Sequence, residues 1–273
     1  MTVIGSNISA LRSSSASSKA SMMLATAQER LSTGKRINSA KDDAAGLAIA
    51  TSMQSQVTGM NQGIRNANDG ISMAQTAEGS LDEVTNMLQR MRELTVQSAN
   101  GTYSTSDLSN IKLEQDALAS QINNVLTNSQ FNGKNLFDGS AGTAGAVKIQ
   151  AGANASDGVT LTLPKLTTDA DLAKVVTGGA SVAGATLANY DTAIATVATA
   201  RASLGATENQ LTSAVNNLTT NSTNLADAQS RIQDADFSAE STNLAKAQIL
   251  SQASTAMLAQ ANQSTQGVMK LLQ

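Results

Sequence analysis

The residues of this chain that could carry chemistry are two acidic clusters and one basic turn. Lys41-Asp42-Asp43 and the pair Asp234 and Asp236 place carboxylates close enough to hold a cation or share acid–base work. Neither cluster has a histidine or a third ligand nearby in sequence. Each lies where a helix begins, and there a carboxylate accepts from free first-turn amides and complements the helix dipole. Capping is therefore the expected role. Gly34-Lys35 is no phosphate cradle, because the Gly-x4-Gly-Lys-Ser/Thr pattern is absent. The chain has no His, Cys or Trp, which removes the commonest general base, every thiol nucleophile and the strongest metal ligands. Asp, Glu, Lys and Ser remain, so composition disfavours an enzyme without excluding one. No catalytic residue, metal or cofactor is expected.

The 273 residues include two Tyr, three Phe and a single Pro. Few aromatics leave little to anchor a wide globular core, and the Ala, Leu, Val, Ile and Met content suits narrow helix seams. One Pro leaves long stretches free of the strongest helix breaker. A net charge of −3 with no basic run between aromatics gives no reason to expect a nucleic-acid partner. No apolar window is long enough to span a membrane. No basic start precedes an apolar core, so a cleaved export signal is not expected.

The elements that must position these residues read as helix, a Gly/Thr-rich middle, then helix. A first arm from about Ile4 to Leu31 places Ile4, Ile8, Leu11, Met22 and Ala25 at helical spacing. Ser39-Ala40-Lys41-Asp42 has the form of a capping box opening a second helix, about 42–99. In it Val57, Met60, Ile64, Ala67, Ile71 and Ala74 alternate three and four apart. Leu81, Val84, Leu88 and Met91 resume the pattern after a phase slip near Glu78. Asn100-Gly101 ends that helix, and Asp107 begins a third with Leu108, Ile111, Leu118, Ile122 and Val125 on one face. Turn signals at Asn132-Gly133 and Gly139, with short alternating runs at 146–150 and 159–163, predict a small β region within about 131–185. Residues 140–185 read as loop-rich, with few apolar anchors, and as largely dispensable for assembly.

The C-terminal half carries the strongest periodicity. Tyr190, Val197, Leu204, Leu211, Leu218, Leu225 and Ile232 fall at strict seven-residue steps. The companion positions are mixed: Leu187, Ile194 and Val215 are apolar, whereas Arg201, Glu208, Ser222 and Gln229 are not. A strong seam with a weaker flank suits a helix in a bundle, and 187–232 would reach roughly 70 Å as one helix. Fold class is thus mainly α: a long helical rod or coiled-coil bundle with a small β-hairpin region and no large outer domain. A last arm from about Ser238 to Leu272 carries Leu244, Ala247, Leu258, Ala261, Val268 and Leu272 along one side.

Both arms are long, amphipathic and nearly uncharged. Such helices are marginal alone and gain stability when packed. Contact with other copies and pairing within one chain both satisfy that need, and the residues alone leave the two open.

Three segments resemble a known family. Leu31-Ser32-Thr33-Gly34-Lys35-Arg36-Ile37-Asn38-Ser39-Ala40-Lys41-Asp42-Asp43 and the following Ala44-Ala45-Gly46-Leu47 are similar to the N-terminal signature of bacterial flagellins. Phe131-Asn132-Gly133-Lys134-Asn135-Leu136 resembles that family's helix-to-hairpin junction. Ser230-Arg231-Ile232-Gln233-Asp234-Ala235-Asp236 and 247–263 resemble its C-terminal signature. Two departures are the start Met1-Thr2-Val3-Ile4-Gly5-Ser6-Asn7, shifted from the commoner form, and Gln210, where many members have Arg.

The resemblance implies a subunit of the extracellular flagellar filament, a self-assembling helical polymer that serves swimming motility. Assembly arms at 1–44 and 234–273 would form the filament core. The arm residues would be Ile4, Ile8, Leu11, Met22, Leu31, Leu244, Ala247, Leu250, Met257, Leu258, Ala261, Val268 and Leu272. Residues 45–233 would form a helical rod domain. It also implies export through the flagellar type III apparatus, a secretion chaperone on the C-terminal arm, and cap and hook-junction partners. Leu88, Gln89, Arg90, Arg92, Glu93 and Leu94, with Glu114, resemble the segment that Toll-like receptor 5 recognises in bacterial flagellins and also help subunits meet. Without the resemblance, Arg90 and Arg92 read simply as charges on a solvated helix face. A hook–filament junction protein and a chemoreceptor-like helical hairpin are the alternatives.

Overall fold

The computed structural model describes residues 6–270, apart from the side chains of residues 265 and 268–270. Ile4 and Leu272 of the expected arm set lie outside the described residues, as does the Val268 side chain. Five helices dominate: α1 (Ile8–Thr33), α2 (Ala44–Ser98), α3 (Thr105–Asn128), α4 (Leu187–Gln233) and α5 (Phe237–Lys270). Six short strands lie between α3 and α4: β1 (Gln130–Phe131), β2 (Lys134–Asn135), β3 (Ala146–Gln150), β4 (Gly158–Thr162), β5 (Val176–Thr177) and β6 (Ala180–Ser181). They pair antiparallel in sequence order as three separate two-stranded ribbons. The chain divides into one unit of residues 1–55 and 224–273 and a second of residues 56–223.

In the first unit α1 packs against α5. Asn7 caps α1 by accepting from Ala10 N–H at 2.9 Å, and Gly34, at φ 71°, closes it with a bond from its N–H to the Arg30 carbonyl. That left-handed angle is why glycine stands there. The seam is formed by Ala10, Ser13, Ser17, Ala20, Leu24, Ala27 and Leu31 of α1 and by Glu240, Leu244, Ala247, Ser251, Ser254, Leu258 and Ala261 of α5, with Thr26, Arg30 and Ser241 half-buried beside it. Both sets follow an unbroken alternation of three and four, the periodicity of a coiled-coil seam. Small residues fill most of it, so the backbones approach closely. The helices run antiparallel, with Asn7 Nδ2 donating to the Ala261 carbonyl at 3.1 Å and Arg30 paired with Glu240 at 3.8 Å.

The expected opening of the second helix is corrected. The Asp42 carboxylate does reach back to the Asn38 and Ser39 N–H groups, at 3.1 and 3.0 Å, but it closes a turn that precedes the helix. Asp43 caps α2 instead, accepting from Gly46 N–H at 2.9 Å. In α3 the working box is Ser104 with Asp107, which starts the helix two residues earlier than expected.

The second unit is built on the facing sides of α2, α3 and α4. The seam of α2 runs Gly63, Ala67, Gly70, Ala74, Ala77, Leu81, Val84, Leu88, Met91 without the expected phase slip. The expected pattern took Ile64 and Ile71 where Gly63 and Gly70 are the buried positions, and it passed over Ala77, so the slip near Glu78 does not occur. On α4, Tyr190, Val197, Leu204, Leu211 and Leu218 are buried as the seven-residue steps predict. Leu108 of α3 departs from its expected face and is 37% exposed, while Ala119 and Leu126 join Ile111 and Ile122 in the core.

Residues 140–185 also differ from expectation. They deliver Ala141, Ile149, Ala151, Leu161, Leu163, Leu166, Leu172 and Val175 to the buried core. The segment is loop-rich but well anchored, which speaks against its being dispensable for the fold. Its β3–β4 ribbon turns over α2 at Gly59 and Gly63: a Cβ on Gly63 would stand 2.7 Å from the backbone nitrogen of Gly152. Asn66 Nδ2 donates to the Gln150 carbonyl at 3.0 Å beside that seat.

Candidate functional site

The polar companions of the α4 heptad have partners on α2. Arg201 reaches Asp82 at 2.8 Å and Glu78 at 3.5 Å, and Ser222 Oγ donates to Asn61 Oδ1 at 3.2 Å. Further along, Gln229 Nε2 donates to Gln54 Oε1 at 2.9 Å. The weaker flank of the heptad is therefore a polar zipper along one helix pair, which aligns register as well as filling space. Glu208 is less well served. Burial first, and the nearby Glu78 charge second, push its carboxyl above the ordinary range.

Lys112, Asp116 and Ser181 form a further grouping in the second unit. Asp116 Oδ1 accepts from the Ser181 N–H at 3.0 Å and from its hydroxyl at 2.5 Å, and Lys112 Nζ lies 3.1 Å from the same oxygen. Residue types suited to nucleophilic chemistry meet here, but the serine proton is committed to a carboxylate that cannot serve as a strong base. The Ser181 hydrogen bond, then Lys112, holds that carboxyl below its ordinary value. The cluster fastens β6 to α3. Lys112 and Asp116 are four apart on α3, but Ser181 lies 65 residues from Asp116, and only the fold brings it to them.

Each acidic cluster supplies one helix cap: Asp43 for α2 and Asp236 for α5, while Asp42 and Asp234 sit outside the helix starts expected of them. Asp42 and Asp43 bind backbone amides, and Asp236 Oδ1 accepts from Ser238 and Ala239 N–H at the start of α5, at 2.8 and 3.2 Å. Asp234 accepts from the Ser230 hydroxyl at 2.6 Å. Among the described residues no group of three or more ligand side chains is arranged for a metal ion, and no helix is long and apolar enough to cross a membrane.

The candidate assembly residues fall into two sets. Leu31, Leu244, Ala247, Leu258 and Ala261 lie in the α1–α5 seam. Ile8, Leu11, Met22, Leu250 and Met257 are 40–72% exposed, together with Met23 and Ile249. The fully buried apolar seam positions are alanines, Leu24, Leu31, Leu244 and Leu258 are half-buried in it, and the outside carries further large apolar side chains. A groove of about 300 Å³ opens on this surface, lined by Met22, Met23, Thr26, Arg30, Glu240 and Asn243.

The candidate recognition residues also divide. Arg90 donates to Glu114 Oε1 at 2.8–2.9 Å and to Glu93 at 3.2 Å, and Arg92 pairs with Asp191 at 2.7 Å. These charged side chains, with Gln89, stand at the surface. Glu114 first, and Glu93 with it, raise the Arg90 pKa, so the guanidinium stays charged. Leu88 and Leu94 are corrected: at 0% and 1% exposure they belong to the core and offer no surface. Their spacing from Leu81 and Met91 already marked them as seam positions.

Comparison with known proteins identifies the family at the level of sequence. Residues 4–162 match the model of the bacterial flagellin N-terminal helical region, and residues 187–272 match that of the bacterial flagellin C-terminal helical region. A flagellin of Xenorhabdus nematophila is 43% identical over 99% of both chains. A flagellin of Halalkalibacterium halodurans is 42% identical over 90% of both. The crystal structure of Bacillus cereus flagellin superimposes with a TM-score of 0.48, at 31% identity over 60% of this chain and 94% of that one. The chain belongs to the bacterial flagellin family, as a non-enzymatic structural subunit of the extracellular flagellar filament.

Proposed function

We propose that the α1–α5 pair is the part of this subunit through which filament copies join. The observation that carries this reading is the placement of side chains on the pair. Ala20, Ala27, Ala247 and Ser254 are inside, whereas Leu11, Met22, Ile249 and Met257, each at least 60% exposed, are outside. A helix pair working alone places its large residues in the seam. Covering each such side chain removes apolar surface worth about 1.5–3 kcal/mol, and a repeating head-to-tail contact extends into an open helix. Residues 1–44 and 234–273 act as the assembly arms, and 45–233 as the helical domain. Export runs through the flagellar type III apparatus, with a secretion chaperone on the C-terminal arm and cap and hook-junction proteins as later partners.

The test is removal of residues 240–273. The remaining protein is expected to keep a folded, soluble second unit and to form no filaments under electron microscopy after seeding or salting out. Normal filaments from the truncated chain would refute the role given to α5.

A second surface has its own support. The exposed Arg90, Glu93 and Glu114 hold one another in a fixed geometry across α2 and α3, and this pre-formed charged patch suits recognition of the monomer by Toll-like receptor 5. An Arg90→Ala, Glu114→Ala variant is expected to activate the receptor less than the parent while its thermal unfolding changes little. Equal activation would sink this assignment.

A further inference from the structure

The chain contains two Asn-Gly pairs, Asn100-Gly101 and Asn132-Gly133. Glycine after asparagine leaves the following amide nitrogen unshielded, so the side-chain amide can be attacked from the backbone. The two pairs lie in opposite conformational settings. We infer that Asn100 is a self-modification site, converting to aspartate and isoaspartate in the folded protein, while Asn132 is held unreactive by its turn.

The reaction needs only water. The Gly101 backbone nitrogen loses its proton to hydroxide and attacks Asn100 Cγ. A C–N bond forms, the Cγ–Nδ2 bond breaks, and ammonia leaves after taking a proton from water. The resulting five-membered imide is opened by water at either carbonyl. One opening gives aspartate, and the other gives a chain that continues through the side-chain carbon.

Access and backbone freedom decide which pair reacts. Asn100 and Gly101 are exposed, beyond the last residue of α2. No hydrogen bond from the Gly101 N–H is present among the described residues, and a Cβ built on Gly101 would meet nothing within 4 Å. The turn is tied by the Asn100 N–H to the Gln97 carbonyl at 3.1 Å and by the Tyr103 N–H to the Asn100 carbonyl at 3.4 Å. The second of these is long, so the Asn100-Gly101 peptide can rotate at small cost.

Asn132 and Gly133 both have positive φ, 47° and 74°, as the central pair of a tight hairpin turn of the type that matches strand twist. In that turn the asparagine ψ is near +30°, which directs the glycine nitrogen away from the asparagine side chain. Attack requires rotating the peptide by well over a right angle, and the ribbon resists. Gln130 pairs with Asn135 and Phe131 with Lys134, the Leu136 N–H bonds the Ser129 carbonyl at 3.1 Å, and Leu136 and Phe137 are fully buried just beyond.

The product adds one negative charge between α2 and α3. Its β-linked form lengthens the backbone within the Asn100–Tyr103 turn. Because the subunit works outside the cell, the change accumulates with the age of the molecule.

The test incubates purified full-length protein at mildly alkaline pH, folded and in urea, and follows tryptic peptides by mass spectrometry. Cleavage after Arg92, Lys112 and Lys134 separates the two sites into peptides 93–112 and 113–134. In urea both peptides are expected to convert. In the folded protein peptide 93–112 converts at a rate close to its unfolded one, and 113–134 at least about tenfold more slowly than its own, as local protection requires. Gly101→Ala, which the open space accommodates, is expected to slow conversion of Asn100 without altering the fold by circular dichroism. Equal folded-state rates at the two sites, protection of Asn100, or an unchanged rate in Gly101→Ala would overturn the inference.

Discussion

Gly63→Ala and Gly79→Ala place the same methyl group on the same helix in two different surroundings. Both glycines lie within α2, so each substitution removes a conformationally loose residue and is worth up to about 1 kcal/mol in helix stability. At Gly79 the new Cβ meets nothing within 4 Å. The full gain should appear, raising the unfolding midpoint of a domain this size by roughly 2–4 °C. At Gly63 the Cβ would stand 2.7 Å from Gly152 N and 3.0 Å from Ala151 C and Gly152 Cα. These are backbone atoms of the β3–β4 ribbon and cannot swing aside as a side-chain tip can. Overpacking of this kind costs about 1–3 kcal/mol, and lifting the ribbon also weakens the Asn66–Gln150 hydrogen bond, worth about 1 kcal/mol. The helix contribution cancels when the variants are compared, so their difference isolates the packing cost: Gly63→Ala should be less stable than Gly79→Ala by about 2–4 kcal/mol, summing those two effects. Thermal and urea unfolding by circular dichroism measure the gap. Hydrogen exchange at residues 146–162 locates it, since the ribbon should open more readily only in Gly63→Ala. If Gly63→Ala proves as stable as Gly79→Ala, or exchange in the ribbon is unchanged, the ribbon is not seated on α2 through this glycine.

Two carboxyl groups make predictions of opposite sign. Burial, with Glu78 nearby, raises Glu208 above its ordinary pKa, so its ionised form weighs against the folded state. That cost is absent below the ordinary carboxylate value, grows as pH rises to the raised folded value, and is constant above it. Glu208→Gln should therefore raise the urea midpoint near neutral pH and lose its advantage in acid; an advantage independent of pH would contradict this. Asp138 is depressed to about 2 by hydrogen bonds from Ser140 and Asn135. Its contribution is fully present above the ordinary value of 3.8 and fades as pH falls from there through about 2. A carboxyl titration by NMR should place its midpoint near 2, and Asp138→Asn should flatten the loss of stability over that interval; a midpoint at the ordinary value would show that the turn does not hold the carboxylate.

Much of the fold was legible in the chain, and the places where it was not have physical causes. The seven-residue steps from Tyr190 to Leu218 mark the buried face of α4 because a helix repeats its direction every two turns and bulky residues there have nowhere else to go. The alternating runs at 146–150 and 159–163 became a ribbon pairing 146–150 with 158–162, since a strand separates its two faces residue by residue. The α2 seam was harder to follow. Gly70 and Ala77 carry little hydrophobicity, and at Gly70 the space a side chain would fill is taken by the Ile149 and Leu211 side chains. The candidate recognition segment divides differently: its charged residues are exposed, while Leu88, which spacing had already placed in the α2 seam, and Leu94 face inward.

By itself the sequence determined the main helices, the strong heptad, the absence of histidine and thiol chemistry, and the family signatures at both ends. Only the tertiary structure decided which side of α1 is inside, whereas spacing had already marked the inner side of α5 through Leu244, Ala247, Leu258 and Ala261. Leu11 and Met22 lie at helical spacing and could have formed the α1–α5 seam, yet Ala20 and Ala27 hold it. Periodicity shows that a helix has a preferred face; the partner it meets, and how closely their backbones approach, selects the side chains that fit. The arms close on their small residues and leave the large ones for another surface.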